Sequence, residues 1–186
     1  MIYKDFHYER LDLKKSKSIL NKIISDFKNA DSAKIQIEAI KEVDGFSREY
    51  MTYQAMASLN YSRDINDDSA KNEKDYYDSI SPDMREIYDR FNKVLHQSKF
   101  KSEIIDMFGD TFLNQIEINL KTFDSKIKGM LKEEIELKNE YTELTAGAKI
   151  EFEGKEYNLA GLGPFHSNVN RSVRKESYEA RFSWFK

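Results

Sequence analysis

Metal chemistry in this chain would have to start from three histidines, His7, His96 and His166. A helical zinc-hydrolase centre needs two histidines one turn apart with a glutamate between them, so that both imidazoles reach one ion. None of the three is followed by Glu-x-x-His, and no two lie a helical turn apart. Calcium comes nearer. Asp64-x-Asn66-x-Asp68 fits the first three ligand positions of an EF-hand loop, and Asp75 falls at the twelfth. However, Ser69 stands where the loop needs Gly for its sharp turn, Lys71 replaces an apolar residue, and Asp75 is shorter than the bidentate Glu. A solvated polar connection is the plainer reading.

Other chemistries fare no better. Gly161-Leu-Gly163-Pro164 lacks the third glycine of a dinucleotide loop and does not join a parallel strand to its helix, so it reads as a tight turn. No Gly-x-Ser-x-Gly elbow presents a nucleophilic serine, and without cysteine there is neither a thiol nucleophile nor a thiolate metal site. Glu133, Glu134, Glu136, Glu140 and Glu143 could form an acid/base pair, but at helical spacing among lysines they describe a solvated face. The sequence therefore assigns no catalytic, cofactor-binding or metal-binding residue to this chain.

The elements that would carry these residues are mostly helical. Leu13, Leu20, Ile24 and Phe27 give a helix over about 11–28. Asp31 or Ser32 then caps a long helix whose Ile40, Val43, Phe46, Tyr50, Tyr53, Ala57 and Tyr61 recur at three- and four-residue steps. Gly45 weakens it locally. Residues 64–75 read as a connection, and Ser81-Pro82-Asp83 as a fresh helix start with Pro at its first position. Ser98, Asp110 and Asp124 are the next candidate caps. Ile150-Glu-Phe-Glu-Gly-Lys-Glu-Tyr-Asn-Leu159 alternates around Glu153-Gly154, the pattern of a hairpin with a two-residue turn. That turn pairs Phe152 with Lys155 and Ile150 with Tyr157, and places Ile150, Phe152, Tyr157 and Leu159 on one face. Tyr178, Phe182 and Phe185 follow at i, i+4 and i+7, and the chain stops inside this last helical pattern.

The fold class is thus mainly α, a lobe of antiparallel helices with one small β-hairpin near the C-terminus. The expected division is a helical lobe at 1–110 and a segment at 111–186 holding a helix, the hairpin (149–159) and a truncated helix (169–186), packed as one unit. Charged residues make up 34% of 186 residues, yet the net charge is only −3, which gives no basic face for nucleic acid. No apolar run is long enough for a membrane span, and the N-terminus has no apolar core of a secretory signal. With no cysteine, the expected compartment is the cytoplasm.

Three segments carry a resemblance. They are Tyr141-Thr-Glu-Leu-Thr-Ala-Gly-Ala-Lys-Ile-Glu-Phe-Glu-Gly-Lys-Glu-Tyr-Asn-Leu159, Leu162-Gly-Pro-Phe165, and Arg171-Ser-Val-Arg-Lys-Glu-Ser-Tyr-Glu-Ala-Arg-Phe182. Together with Tyr8-Glu-Arg-Leu-Asp12 and Ala30-Asp-Ser-Ala33, they are similar to the N-terminal part of the oligoendopeptidase F family, thimet-type zinc oligopeptidases. Gly147, where Ser is expected, and His166 depart from the pattern. The resemblance implies a non-catalytic lobe walling a deep peptide channel. In the full-length enzyme, zinc on an H-E-x-x-H motif and a downstream Glu would lie beyond Lys186, in a C-terminal catalytic domain that hydrolyses short peptides. On this reading the chain alone is inactive, Phe182, Trp184 and Phe185 form a junction with that domain, and apolar surface bared by its absence favours self-association. The alternative is a stand-alone helical interaction module without catalysis.

Overall fold

The computed structural model describes residues 8–186. Eight helices and one hairpin follow in order among them: α1 (Leu13–Asn29), α2 (Ala33–Arg63), α3 (Asp68–His96), α4 (Lys101–Phe108), α5 (Asp110–Thr122), α6 (Lys128–Ala146), β1 (Ile150–Phe152), β2 (Lys155–Tyr157), α7 (Gly163–His166) and α8 (Arg171–Ser183). The mainly α class with a small C-terminal hairpin is what the patterning requires. The described residues divide into two compact units, one up to Lys132 and one from Glu133 to Lys186. The boundary expected at 110/111 falls where α4 gives way to α5, next to Gly109, whose φ of 83° is open to glycine at no steric cost.

In the first unit α1, α2 and α5 all pack on α3. Asp12 caps α1 by accepting from the Lys14 and Lys15 amides at 2.8 and 3.0 Å. Ser32 precedes α2 but makes no capping bond. The buried stripe of α2 includes Ile40, Val43, Tyr50, Ala57 and Tyr61, as its spacing demands. Leu20, Phe27, Tyr77, Met84, Ile87, Leu95 and Ile104 are almost fully buried, and Phe27 meets Phe91 edge-on at 5.4 Å. A buried amide ties the ends together: Gln36 Nε2 donates to the Phe27 carbonyl at 3.0 Å, and its Oε1 accepts from Ser98 Oγ at 2.5 Å. Ser98 Oγ in turn accepts from the amide of Phe100, the residue just before α4.

The expected restart at Ser81 does not occur. The connection shrinks to Asp64–Asp67, Asp67 caps α3 through the Ser69 and Ala70 amides, and the helix runs on to His96 with Pro82 inside it. Pro82 has no N–H for the Asp78 carbonyl. The Ser81 hydroxyl supplies the donor instead, at 3.3 Å, and the proline ring is buried in the core. Asp124 does cap, accepting from the Lys126 amide at 2.8 Å before a single 3₁₀ turn leads into α6.

In the second unit the hairpin register is Ile150↔Tyr157, Glu151↔Glu156 and Phe152↔Lys155, as the turn position dictates. Glu153 (φ 50°) and Gly154 (φ 75°) both sit in the left-handed region, the backbone of a type I′ turn. Ile150, Phe152 and Leu162 form its small core, with Phe165 edge-on to Phe152 at 5.0 Å and to Tyr157 at 5.3 Å. Gly161 lies in the turn expected after the hairpin, and Gly163 opens the four-residue α7, with Pro164 in its first turn. Asn170 caps α8, and Ser177, fully buried, closes its hydroxyl onto the Arg174 carbonyl at 2.8 Å.

Candidate functional site

The structure separates the residues that metal chemistry would need. His7 lies outside the described residues. His96 belongs to the last turn of α3, in the first unit, where a basic side chain complements the helix C-terminus. His166, in the second unit, ends α7 and stacks on Tyr178 at 4.2 Å with planes 14° apart. The calcium-like spacing dissolves as well: Asp64 accepts from the Asn66 amide, while Asp68 and Asp75 both belong to α3. Gly161 donates its amide to Asn158 Oδ1, closing a turn. The glutamates of α6 point to solvent, and Glu134 pairs with Lys138 one turn on. Glu151 and Glu156 stand directly opposite each other across the hairpin, with Lys149 3.6 Å from Glu156. Among the described residues no group of three or more His, Asp or Glu side chains could hold a metal ion.

Two arrangements do have built geometry, and both lie in the first unit. One is a strap of the chain before α1 onto the start of α3. Arg10 forks onto Glu73, with Nη2 2.5 Å from Oε1 and Nε 3.0 Å from Oε2, and Tyr8 donates to Oε2 at 2.5 Å. The Arg10 guanidinium also lies 4.7 Å over the Tyr76 ring. Tyr76 donates to the Leu11 carbonyl, and the Leu11 amide donates to the Tyr77 hydroxyl at 3.1 Å. The Arg10 hydrogen bond outweighs partial burial and holds the Glu73 carboxyl below its ordinary range, while burial and Glu73 push the Tyr8 hydroxyl far up.

The other is a cleft of about 530 Å³ between α2, α3 and the end of α5, lined by Tyr50, Met51, Met84, Tyr88, Asp89 and Phe123 among others. Asp89 is only 5% exposed. Its Oδ2 pairs with Lys93 at 2.6 Å, but its Oδ1 is sealed from water with no partner. The hydroxyls of Tyr50 and Tyr88 are in the same condition. Burial raises the pKa of both, so both hydroxyls keep their protons. The Ser47 hydroxyl beside Tyr88 tempers that rise. Arg85, also on the lining, lies 5.2 Å over the Phe123 ring. The sequence places Tyr50 only in the periodic stripe of α2 and attaches no motif to Asp89. Aspartate on the apolar face of a helix was the available signal.

A third feature is apolar and uncovered. Leu137, Tyr141 and Leu144 follow at i, i+4 and i+7 on α6 and are 58%, 61% and 62% exposed, and α6 buries no residue. Tyr178 and Phe182 on α8 and Phe185 just past its end form an exposed run, with Tyr178 and Phe182 parallel at 6.1 Å.

Residues 3–123 match the family model described as the Peptidase M3 N-terminal domain. No curated protein matches the chain. Among solved structures, it is similar to a protein described as an oligoendopeptidase F, with 34% identity and a TM-score of 0.93 over 100% of this chain and 33% of that one. PZ peptidase A, solved with an inhibitor, is 33% identical with a TM-score of 0.93 over 99% of this chain and 33% of its own. An oligoendopeptidase F of Bacillus anthracis strain Ames gives 28% identity and 0.91 over 98% and 34%. The chain spans about a third of the length of each of these structures.

Proposed function

The chain belongs to the family of Peptidase M3 N-terminal domains, and from that premise we propose that it is the non-catalytic N-terminal lobe of a zinc metallo-oligoendopeptidase, one wall of a channel that admits short peptides. The observation that carries this reading is the fit of the whole chain, at a TM-score of 0.93, to one third of an oligoendopeptidase F. Among the described residues the donor set does not suit zinc: His96 and His166 belong to different units, and no group of three or more His, Asp or Glu side chains could hold a metal ion. Metal and hydrolysis are therefore assigned to the remaining two thirds of the parent enzyme, and no catalytic step is drawn through this chain. Within it, the lobe's work is to bind, to position and to exclude folded substrates. The uncovered apolar stripe on α6 supports a partner surface, since a helix that buries nothing by itself gains little from its leucines in water. A cytoplasmic location is part of the proposal, and no described helix is long and apolar enough to cross a membrane.

The test is peptide cleavage with and without the missing part. The pure chain, supplied with zinc, is expected to leave a quenched fluorogenic peptide intact. The chain joined to the catalytic two thirds of a family member is expected to cleave it. Zinc-dependent turnover by the 186-residue chain alone would overturn the reading.

A further inference from the structure

Two charged residues line the cleft between α2, α3 and α5, and only one has its charge answered. Asp89 pairs with Lys93 at 2.6 Å. Arg85 is exposed, and among the described residues no carboxylate pairs with it. Its guanidinium lies 5.2 Å over the ring of Phe123, which lines the same cleft. The other carboxylates on this half of α3 are occupied: Asp83 and Glu86 hold Lys128, and Asp83 also faces Lys17. Asp124, next to Phe123 in the chain, turns to accept from the Lys126 amide. A guanidinium held over an aromatic face keeps its N–H edge for a planar acceptor that can be gripped at two points, and a carboxylate is that acceptor.

The rest of the lining restricts what that carboxylate is attached to. Tyr50, Met84 and Phe123 are buried, and the hydroxyl oxygens of Tyr50 and Tyr88 are sealed from water, so these residues face the cleft with carbon. Asn92 and Asn119 add side-chain amides from α3 and α5. A volume of about 530 Å³ walled by apolar side chains with few polar groups is the pattern of a small-molecule site. A cation is repelled by Arg85, and a neutral apolar molecule leaves its charge unanswered. We propose that this cleft takes the C-terminal residue of a short peptide, its carboxylate on Arg85 and an apolar side chain against Tyr50, Met84 and Phe123. The apolar carboxylate follows from the lining; the peptide as its bearer rests on the function proposed above.

The experiment is a titration of the 186-residue chain, followed by amide chemical shifts, with N-acetylated Ala-Ala-Phe, its C-terminal amide, and N-acetylated Ala-Ala-Gly. The free acid ending in Phe is expected to shift the signals of Asn92, Asn119 and Phe123, at concentrations where the amide and the Gly peptide leave them in place. Phenylpropanoate, the same carboxylate and ring without a peptide, is expected to bind more weakly. Arg85→Gln breaks no ion pair and is expected to weaken the free acid by about tenfold, down to the level of the amide. Arg90→Gln makes the same charge change on α3 away from the cleft lining, and is expected to leave binding unchanged. Equal response to acid and amide, no response to any peptide, or undiminished binding by Arg85→Gln would overturn the proposal. Phenylpropanoate binding as tightly as the peptide would overturn its assignment to peptides. Because no turnover is read, failure here leaves the peptide-cleavage result standing, and failure of the cleavage test leaves the titration standing.

Discussion

The Ser81 hydroxyl donates to the Asp78 carbonyl, the one acceptor in the middle of α3 that Pro82 deprives of its amide. A buried proline ring and a neighbouring serine thus act as a pair. Ser81→Ala is expected to cost about 1 kcal/mol, the worth of a hydrogen bond whose acceptor then goes unpaired. In a Pro82→Ala background, where the amide returns, the same change is expected to cost almost nothing. Urea denaturation of the four proteins in a double-mutant cycle checks this. Equal costs in both backgrounds would dissociate the two residues.

Acid should weaken the strap at the start of α3. Arg10 holds the Glu73 carboxyl below the ordinary value of about 4.3. A lowered folded pKa means stability present above the unfolded value and lost as pH falls through the folded one. Arg10 is half exposed, so screening keeps the effect below about 1 kcal/mol. Glu73→Gln is expected to flatten the pH dependence of melting below about pH 5 and to lower its salt dependence; unchanged curves would refute the pairing.

The hairpin turn offers a stabilising change. Glu153 occupies the left-handed region, which glutamate enters at a cost and asparagine more readily. Glu153→Asn is expected to gain about 0.5–1 kcal/mol, whereas Gly154→Ala, forcing a Cβ into φ 75°, is expected to lose about 1 kcal/mol. Amide exchange at Ile150 and Tyr157 reads both.

Leu162 is fully buried in a core of only three buried residues. Leu162→Ala is expected to cost about 2–5 kcal/mol and to abolish amide protection across the hairpin. Retained protection would mean that the hairpin does not depend on this core.

The bare stripe of α6 should promote association of the chain with itself. Light scattering is expected to show a mass above that of the monomer, and the pair Leu137→Glu and Tyr141→Glu to restore the monomer. A clean monomer of the parent chain at high concentration would contradict this.

What the sequence made legible was local. The Asp12 and Asp124 caps involve amides two or three residues away, and the hairpin register follows from two turn residues. Helix α3 was misread at Ser81 because a serine before a proline looks the same at a helix start as in a helix interior. Only burial of the ring distinguishes the two. Glu73 and its partners Tyr8 and Arg10 lie more than 60 residues apart, and the orphaned atoms of Tyr50, Tyr88 and Asp89 come from two helices. No periodicity announces either. The α6 leucines have the spacing of a core stripe, and spacing alone does not say whether anything lies against it.

At 1.5 Å per residue, the 29 residues of α3 make a rod about 43 Å long. Glu73 near one end is gripped by Arg10 and Tyr8, and Asp83 and Glu86 near the middle are gripped by Lys128, with Lys17 also 3.5 Å from Asp83. The missing rung at Pro82 lies between these two grips, one residue from the clamped Asp83, so the weakest joint of the beam sits beside one of its fixed points.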